Sequence, residues 1–498
     1  MSKKSDKFLR AAGILLPVSS LPSKYGIGNL GKEAYNFVDY LCECGQKCWQ
    51  ILPIGPTSYG DSPYQSFSAY AGNPYFIDLD ELISEKLLLE KDVKSFSWGE
   101  DKNQVDYGLI FESRFKVLRI AYNNFKKTSD KDYKKFAQEN KYWLDDYCLY
   151  MAVKFHMQNK SWLEWEDDIR LRKPEAVEKY KKLLADEIEF WGFMQYKFYE
   201  QWYRLKKYAN DKGIKIIGDI PIYVSLDSAD TWANGEQFLL DENHCPTVVA
   251  GCPPDSFSAD GQLWGNSIYD WKYMEQDGFK WWRSRIAFSA TIYDVIRIDH
   301  FIGIVRYYSI PAGSANARRG KFNRGPGYKL IKAINESIGE SEIIAEDLGI
   351  VVPSVTKLMK RSGYPGMKIL QHAFDGNTTN EHLPINYDKN CCVYLGTHDN
   401  DTMVAALEQM SEKKLAYLKK YLGKEELDDT VWDLIRLAYS SVAKLVAIQM
   451  QDILELDNTA RMNLPATVGG NWTWRVTKDV LTEDLAERLR ELAKTYGR

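Results

Sequence analysis

Three features of this 498-residue chain predict an α/β fold, a (β/α)8 TIM barrel. Eight short apolar runs recur along it. Turn residues follow them, and several then lead into helical stretches. Acids stand at the ends of four of the runs. Eight is the number of parallel strands that closes a barrel. A doubly wound open sheet is the competing arrangement, but no glycine-rich phosphate fingerprint follows the first run.

The first run, 13–18, precedes the helical stretch "LGKEAYNFVDYLCEC", and the second is 48–54. Residues 55–213 then separate it from the third run, 214–222, and most of that interval reads as helix. Trp143, Tyr147, Met151 and Phe155 recur every four residues, the spacing of one helix face. Phe198 and Trp202 repeat that spacing, and Pro174 stands where a first helical turn tolerates it. Residues 80–210 are therefore read as a large helical insertion after the second strand, with 1–79 and 211–498 forming the barrel. Its aromatic stripes read as internal packing. A second insertion, 232–275, is rich in Gly, Pro, Asp and aromatics and reads as a loop over the site. The remaining runs are Val295–Asp299, 343–346 (before "PSVTKLMKRS"), 367–371, 393–397 (before "DTMVAALEQM") and 452–456.

Composition narrows the function. Lys and Arg number 65 against 69 Asp and Glu, a net charge of −4 with the signs interspersed. Nothing there asks for nucleic acid or an anionic membrane, so a neutral partner is expected. No apolar run approaches the roughly 20 residues that span a bilayer. The basic-then-apolar start, "MSKKSDKFLRAAGILLPVSS", reads as fold, not as a leader. Eight cysteines show no disulfide framework, which suits reduced thiols and a cytoplasmic setting. The spacing of Cys42, Cys44 and Cys48 is not that of a zinc knuckle, and the six histidines show no paired ligand spacing. No metal and no cofactor are expected. The aromatics (15 Trp, 32 Tyr, 20 Phe) fit either a packed core or stacking platforms for sugar rings.

The acids at strand ends carry the chemistry. "VIRIDHF" ends in Asp299, "IIAEDLG" in Glu346 and Asp347, "VYLGTHDNDT" in His398 and Asp399, and "IIGDIPIYV" carries Asp219. Catalytic groups of a barrel sit at the C-terminal ends of its strands. Arg297 and Asp299 share a face, so a guanidinium beside Asp299 would hold it ionised. Glu346 shares its side with Ile344; against apolar neighbours it would stay protonated, while Asp347, on the other face, would serve the wall. One charged and one neutral carboxyl are what glycoside cleavage needs, about 5 Å apart in a retaining enzyme. Adjacent strands lie about 4.8 Å apart. Asp399 could bind sugar hydroxyls and stabilise positive charge.

Long ordered segments go further than single acids. "GILLPVSSLPSKYGIGNLG", "WQILPIGPTSYGDSPYQSFSAYAGNPYFIDL", "PPDSFSADGQLWGN", "VIRIDHF", "AEDLG", "YPGMKILQHAFDG", "LGTHDNDT" and "RMNLPATVGGNWTWR" resemble the amylomaltases, or 4-α-glucanotransferases, of glycoside hydrolase family 77, over nearly the whole chain. The resemblance implies a (β/α)8 barrel with inserted subdomains and without the C-terminal β domain of related α-amylases. It implies Asp299 as nucleophile, Glu346 as general acid then base, and Asp399 as transition-state stabiliser. Arg297 would support Asp299, with His398 and Asp219 framing the same sugar. Tyr64 would be a stacking platform, Tyr59 part of a more remote glucan groove, and Gln262 and Trp264 acceptor-side contacts. Asp375 and Asn463 are weaker matches. The implied partners are malto-oligosaccharides, amylose or starch-like glucans, with glucose as an acceptor. Four positions depart from the family pattern: Ser256 stands where many members carry Tyr, Ile302 where several have Arg, Ile385 where His is frequent, and His372 where Phe is common.

Transfer and hydrolysis share a first half-reaction. A loop that excludes water while presenting Phe257 and Trp264 to an acceptor would favour transfer. An α-amylase-like hydrolase is the alternative. A non-catalytic glucan-binding barrel would keep the aromatics but need not keep three acids at strand ends.

Overall fold

The computed structural model describes residues 10–128, 130–254, 258–349 and 351–498. Among these, the strands in chain order are β1 (Ala11–Leu15), β2 (Cys48–Gln50), β3 (Lys215–Pro221), β4 (Val248–Cys252), β5 (Gln262–Ser267) and β6 (Val295–Asp299). They continue with β7 (Arg306–Pro311), β8 (Lys321–Arg324), β9 (Glu342–Ala345), β10 (Gly366–Ile369), β11 (Cys391–Tyr394) and β12 (Leu445–Gln449).

Eight strands form one parallel sheet in the order β10-β11-β12-β1-β2-β3-β6-β9. Its two ends meet at a seam between β9 and β10. There Ala345 N–H donates to Pro365 O (3.0 Å) and Met367 N–H donates to Asp347 Oδ1 (2.8 Å). A side-chain carboxylate thus takes the place of a backbone carbonyl. Gly366 leaves room for it, since a Cβ there would lie 2.4 Å from Asp347 Oδ2.

Alternation along each strand feeds two cores. Ala11, Leu15, Cys48, Ile217, Val295, Ile344, Met367 and Leu445 fill the barrel interior. Ile14, Trp49, Ile216, Ile296, Ile343 and Val446 face the helix layer. Burial on both faces explains why these strands read as unbroken apolar runs; each fully buried side chain contributes roughly 1.5–3 kcal/mol.

The eighth barrel strand is Leu445–Gln449, not 452–456. "LVAIQMQDILEL" is one long apolar stretch, and the alternation of "DILEL" mimics a strand. Pairing decides the matter: Ala12 stands against Val446 and Ile14 against Ile448, and the chain then turns into the short helix Met450–Ile453. Asp452 is fully buried there. It accepts Met403 N–H (2.7 Å) and Gln449 Nε2–H (3.0 Å), and burial pushes its carboxyl up to about 7.

Between β2 and β3 the chain is largely helical. Trp143, Tyr147 and Met151 lie buried on the helix Lys141–His156, where the four-residue spacing places them. The helix Ala185–Asp211 carries Phe198 and Trp202 inward. Two of its glutamines clip the chain that follows β2. Gln195 bonds both backbone groups of Gly72 (2.7 and 2.9 Å), and Gln201 both of Asp78 (2.7 and 3.3 Å).

The stretch 232–275 is not only loop. It contains β4 and β5, which join β7 and β8 in an antiparallel sheet of order β5-β4-β7-β8. β4 finds its partner β7 beyond β6, a pairing that local sequence cannot display. This sheet carries Gln262 and Trp264. Among the described residues, no strand follows β12, and no helix is long and apolar enough to cross a membrane.

Candidate active site

The site is built from the inner face of β6 outward. Arg297, fully buried, points its Nη1 at two carboxylates: 2.6 Å from Asp219 Oδ2 on β3 and 3.0 Å from Asp299 Oδ1. The β3–β6 register sets Asp219 directly against Arg297. Met367 Sδ accepts from Arg297 Nε at 3.5 Å. Burial works against the charge of Arg297, but Asp219 and Asp299 outweigh it and hold the guanidinium charged.

β9 delivers Glu346 one residue past its end. Ile298 pairs with Ala345, so Asp299 and Glu346 come level on neighbouring strands, which are about 4.8 Å apart in any sheet. Two backbone bonds carry the ladder on: Glu346 N–H to Ile298 O (3.0 Å) and Phe301 N–H to Glu346 O (2.9 Å). The chain leaves β6 through His300 in the left-handed region, φ 49°, a conformation costing roughly 1–3 kcal/mol off glycine. His300 N–H donates to Glu346 Oε2 and Leu348 N–H to Oε1, each at 2.7 Å. Glu346 is 7% exposed. Burial, then the charge of Asp299, pushes its carboxyl up to about 8; Arg297 and the two N–H groups pull the other way. Each oxygen accepts one N–H and keeps a further position for an acid proton. Glu346 is therefore pushed toward its neutral form, beside an Asp299 that shares the Arg297 guanidinium with Asp219.

The opposite wall comes from loops. Asp399, after β11, has a side chain 41% exposed, against 27% for Asp299. Asn463 Nδ2–H donates to its Oδ1 and Arg461 Nη2–H to its backbone O, both at 2.6 Å. His398 Nε2 lies 3.5 Å from Asp399 Oδ2. The His398 ring stacks on Tyr64 (5.1 Å between centroids, 21°), and Tyr64 O–H donates to Asp219 Oδ2 at 2.8 Å. An unbroken chain of contacts thus runs from Asp399 through His398, Tyr64, Asp219 and Arg297 to Asp299.

A cavity of about 750 Å³ opens between these walls. Asp299, Asp399, Tyr64, His398 and Asn463 line it, as do Gln262 and Trp264 from β5. Trp264 Nε1–H donates to Gln262 Oε1 (3.1 Å), and its ring meets His300 edge-on at 4.9 Å. Burial lowers His300 to about 4, so that ring is neutral. Tyr59 stands 94% exposed on the rim. Asp375 is apart from the cavity, in an exposed turn where its Oδ1 accepts Asn377 N–H at 2.8 Å. Ser256 and Phe257 lie outside the described residues. Ile302 is buried and Ile385 is exposed. Among the described residues, no cluster of three or more His, Cys, Asp or Glu could hold a metal ion.

Three residues at the site escaped sequence reasoning. Trp472 lines the cavity and tilts against both Tyr64 (5.9 Å) and His398 (5.8 Å), with φ 65°. The signal for it was present: a tryptophan directly after the two glycines and asparagine of "VGGNW". His300 adjoins Asp299 and was passed over. Arg461 opens the segment "RMNLP", but only Asn463 was singled out there.

A family model described as 4-alpha-glucanotransferase, of glycoside hydrolase family 77, matches residues 16–482. The chain belongs to this family. A 4-alpha-glucanotransferase of Clostridium butyricum is 51% identical over 488 residues, 97% of this chain and 99% of that one. One from Streptococcus pneumoniae is 48% identical over 492 residues, 98% and 97% of the two chains. The solved amylomaltase from Streptococcus agalactiae, in complex with acarbose, superposes with a TM-score of 0.96 at 42% identity, covering 98% of this chain and 99% of that one. As in any member of the 4-alpha-glucanotransferase family, glycosyl transfer is the enzyme class to which the geometry must answer.

Proposed function

We propose that this enzyme moves an α-1,4-glucan segment from a donor glucan to the 4-hydroxyl of an acceptor, with retention and through a covalent intermediate on Asp299. The observation that carries the reading is Glu346, raised to about 8 and level with Asp299 on the neighbouring strand. In the first step the Asp299 carboxylate attacks the anomeric carbon while Glu346 gives its proton to the departing 4-oxygen. The glycosidic C–O bond breaks and an acyl–sugar bond forms. In the second, Glu346, now a carboxylate, takes the proton of the incoming 4-hydroxyl. That oxygen bonds to the anomeric carbon and Asp299 leaves. Asp399 grips hydroxyls of the sugar in transit and favours its positive charge.

Arg297 pairs with Asp299 and fixes its carboxyl from behind, Nη1 to Oδ1 at 3.0 Å. Tyr64, His398 and Asp219 frame the reacting ring, Asn463 orients Asp399, and Gln262 and Trp264 receive the acceptor. Tyr59 meets longer glucans at the rim; Asp375 has no part in this scheme. Donors are malto-oligosaccharides and amylose or starch-like glucans, and glucose serves as an acceptor. The same transfer turned on the donor's own far end closes a ring. Residues 80–210 act in this reading as an inserted helical subdomain and 232–275 as an insertion covering the site. A cytoplasmic setting accords with eight free cysteines.

Maltotriose alone tests transfer. Longer oligomers and glucose are expected, with almost no net gain in reducing ends; steady growth in reducing ends would instead identify the hydrolase. Glu346→Gln tests the acid. It is expected to slow maltotriose turnover about 10²–10⁴-fold and a maltosyl fluoride donor far less, because fluoride needs little protonation to leave.

A further inference from the structure

Asp399 is a half-exposed carboxylate on a loop, so something other than burial must fix it. The loop after β11, residues 397–402, and residues 458–463 beyond β12 are tied together by several side chains, with Arg461 at the centre. Arg461 uses all three arms of its guanidinium on three separate acceptors. Nη2–H donates to Asp399 O (2.6 Å), Nε–H to Asn463 O (2.8 Å) and Nη1–H to Asp401 Oδ1. Asn458 Nδ2–H holds the same Asp401 oxygen (2.7 Å), while Asn458 Oδ1 accepts Thr402 N–H (3.1 Å). Gln371 Nε2–H holds Asp401 O (2.7 Å). Asn463, steadied by Arg461, turns its own Nδ2–H to Asp399 Oδ1 (2.6 Å) and its N–H to His398 O (3.1 Å).

We infer that Arg461 is a positioning residue for glycosyl transfer. It sets the height and direction of the Asp399 carboxylate from behind, gripping the Asp399 carbonyl and the Asn463 carbonyl in one plane. The inference rests on the role given to Asp399 above. Three features support it. The guanidinium fork is planar and rigid, and it fits acceptors at fixed angles that an ammonium cannot reach together. Asp401 neutralises the added charge, so Arg461 orients Asp399 without leaving a net positive charge behind it. Finally, Asp401 is 27% exposed and can be rehydrated, so loss of Arg461 costs placement more than fold.

Arg461→Met and Arg461→Lys test this, each assayed with maltotriose and with maltosyl fluoride, alongside thermal melting. A hydroxyl grip stabilises the transition state whatever the leaving group, so both donors should suffer alike. Arg461→Met is expected to lower kcat about 30-fold on each donor, with KM changed less than about threefold. Arg461→Lys keeps the charge but not the fork, and is expected to recover no more than about a third of that loss. Asp401→Asn, which removes only the lateral brace, should fall between the parent and Arg461→Met. Parent-like kcat in a folded Arg461→Lys variant overturns the inference, as does a loss confined to KM or to one donor. If Arg461→Met does not fold, Arg461→Lys and Asp401→Asn decide by the same criteria. Glu346→Gln keeps the two claims apart. Should it lose equally on both donors, the underlying mechanism falls; should it show its donor dependence while the Arg461 variants turn over normally, only the brace falls.

Discussion

The two walls of the cavity solve the problem of holding a carboxylate in opposite ways. On the β6–β9 wall, Asp299 lines the cavity and Glu346 sits buried level with it on the neighbouring strand, near buried Arg297 and Asp219. On the loop wall, Asp399 is more open to water and is held by hydrogen bonds from Asn463 and Arg461. In the buried wall each charge reshapes its neighbour's protonation, because little water intervenes. In the loop wall, hydrogen bonds from Asn463 and Arg461 fix where the carboxylate stands. The difference teaches that protonation and placement are handled by separate parts of the fold.

Substitutions can break that division. Asp299→Asn removes the nucleophile from the strand wall and is expected to cut kcat by about 10⁴-fold or more on every donor, measured by glucose release from maltotriose. The next effect concerns pH. Glu346 must hold its proton to act as acid, so kcat/KM for maltotriose is expected to fall as pH rises through about 8. The same shift links to stability. Its folded value lies above its unfolded one, so its contribution is full at low pH and is lost as pH climbs from about 4.5 to about 8. Glu346→Gln should therefore gain on the parent in denaturant melts across that window, by up to about 5 kcal/mol in all; a gap independent of pH would refute the buried neutral acid.

The loop wall should respond by smaller amounts and without a pH signature. Asn463→Ala deletes one charge-assisted hydrogen bond to Asp399 and is expected to lower kcat about 10- to 30-fold, with the alkaline limb unmoved. The smallest effect belongs to the rim. Tyr59→Ala should leave maltotriose turnover within about twofold and raise KM for amylose about three- to tenfold, the loss of one stacking contact of about 1 kcal/mol.

Much of the strand wall was legible because its signals are local. "VIRID" announces a buried strand, its own arginine and its acid within five residues. "IIAED" likewise sets Glu346 and Asp347 on opposite faces, and the second does serve the wall, at the β9–β10 seam. The loop wall was only partly legible. Arg461, Asn463 and Trp472 share one recognisable segment, but within it Arg461 owes its importance to partners in another loop, and Trp472 to rings brought in from positions 64 and 398. The misplaced eighth strand has the same cause. Within one continuous apolar stretch, only pairing with β1 selects Leu445–Gln449 over the residues after it.

Alone, then, the amino-acid order settled the alternation of strand and helix and the identity of the acids at strand ends. Period and burial preference are properties of a few consecutive residues. The closing of the sheet through Asp347, the rise of Glu346 to about 8 and the bracing of Asp399 were decided only by the tertiary structure. Each depends on the distance between groups far apart in the chain, and both electrostatic coupling and hydrogen bonding exist only once folding has made that distance short.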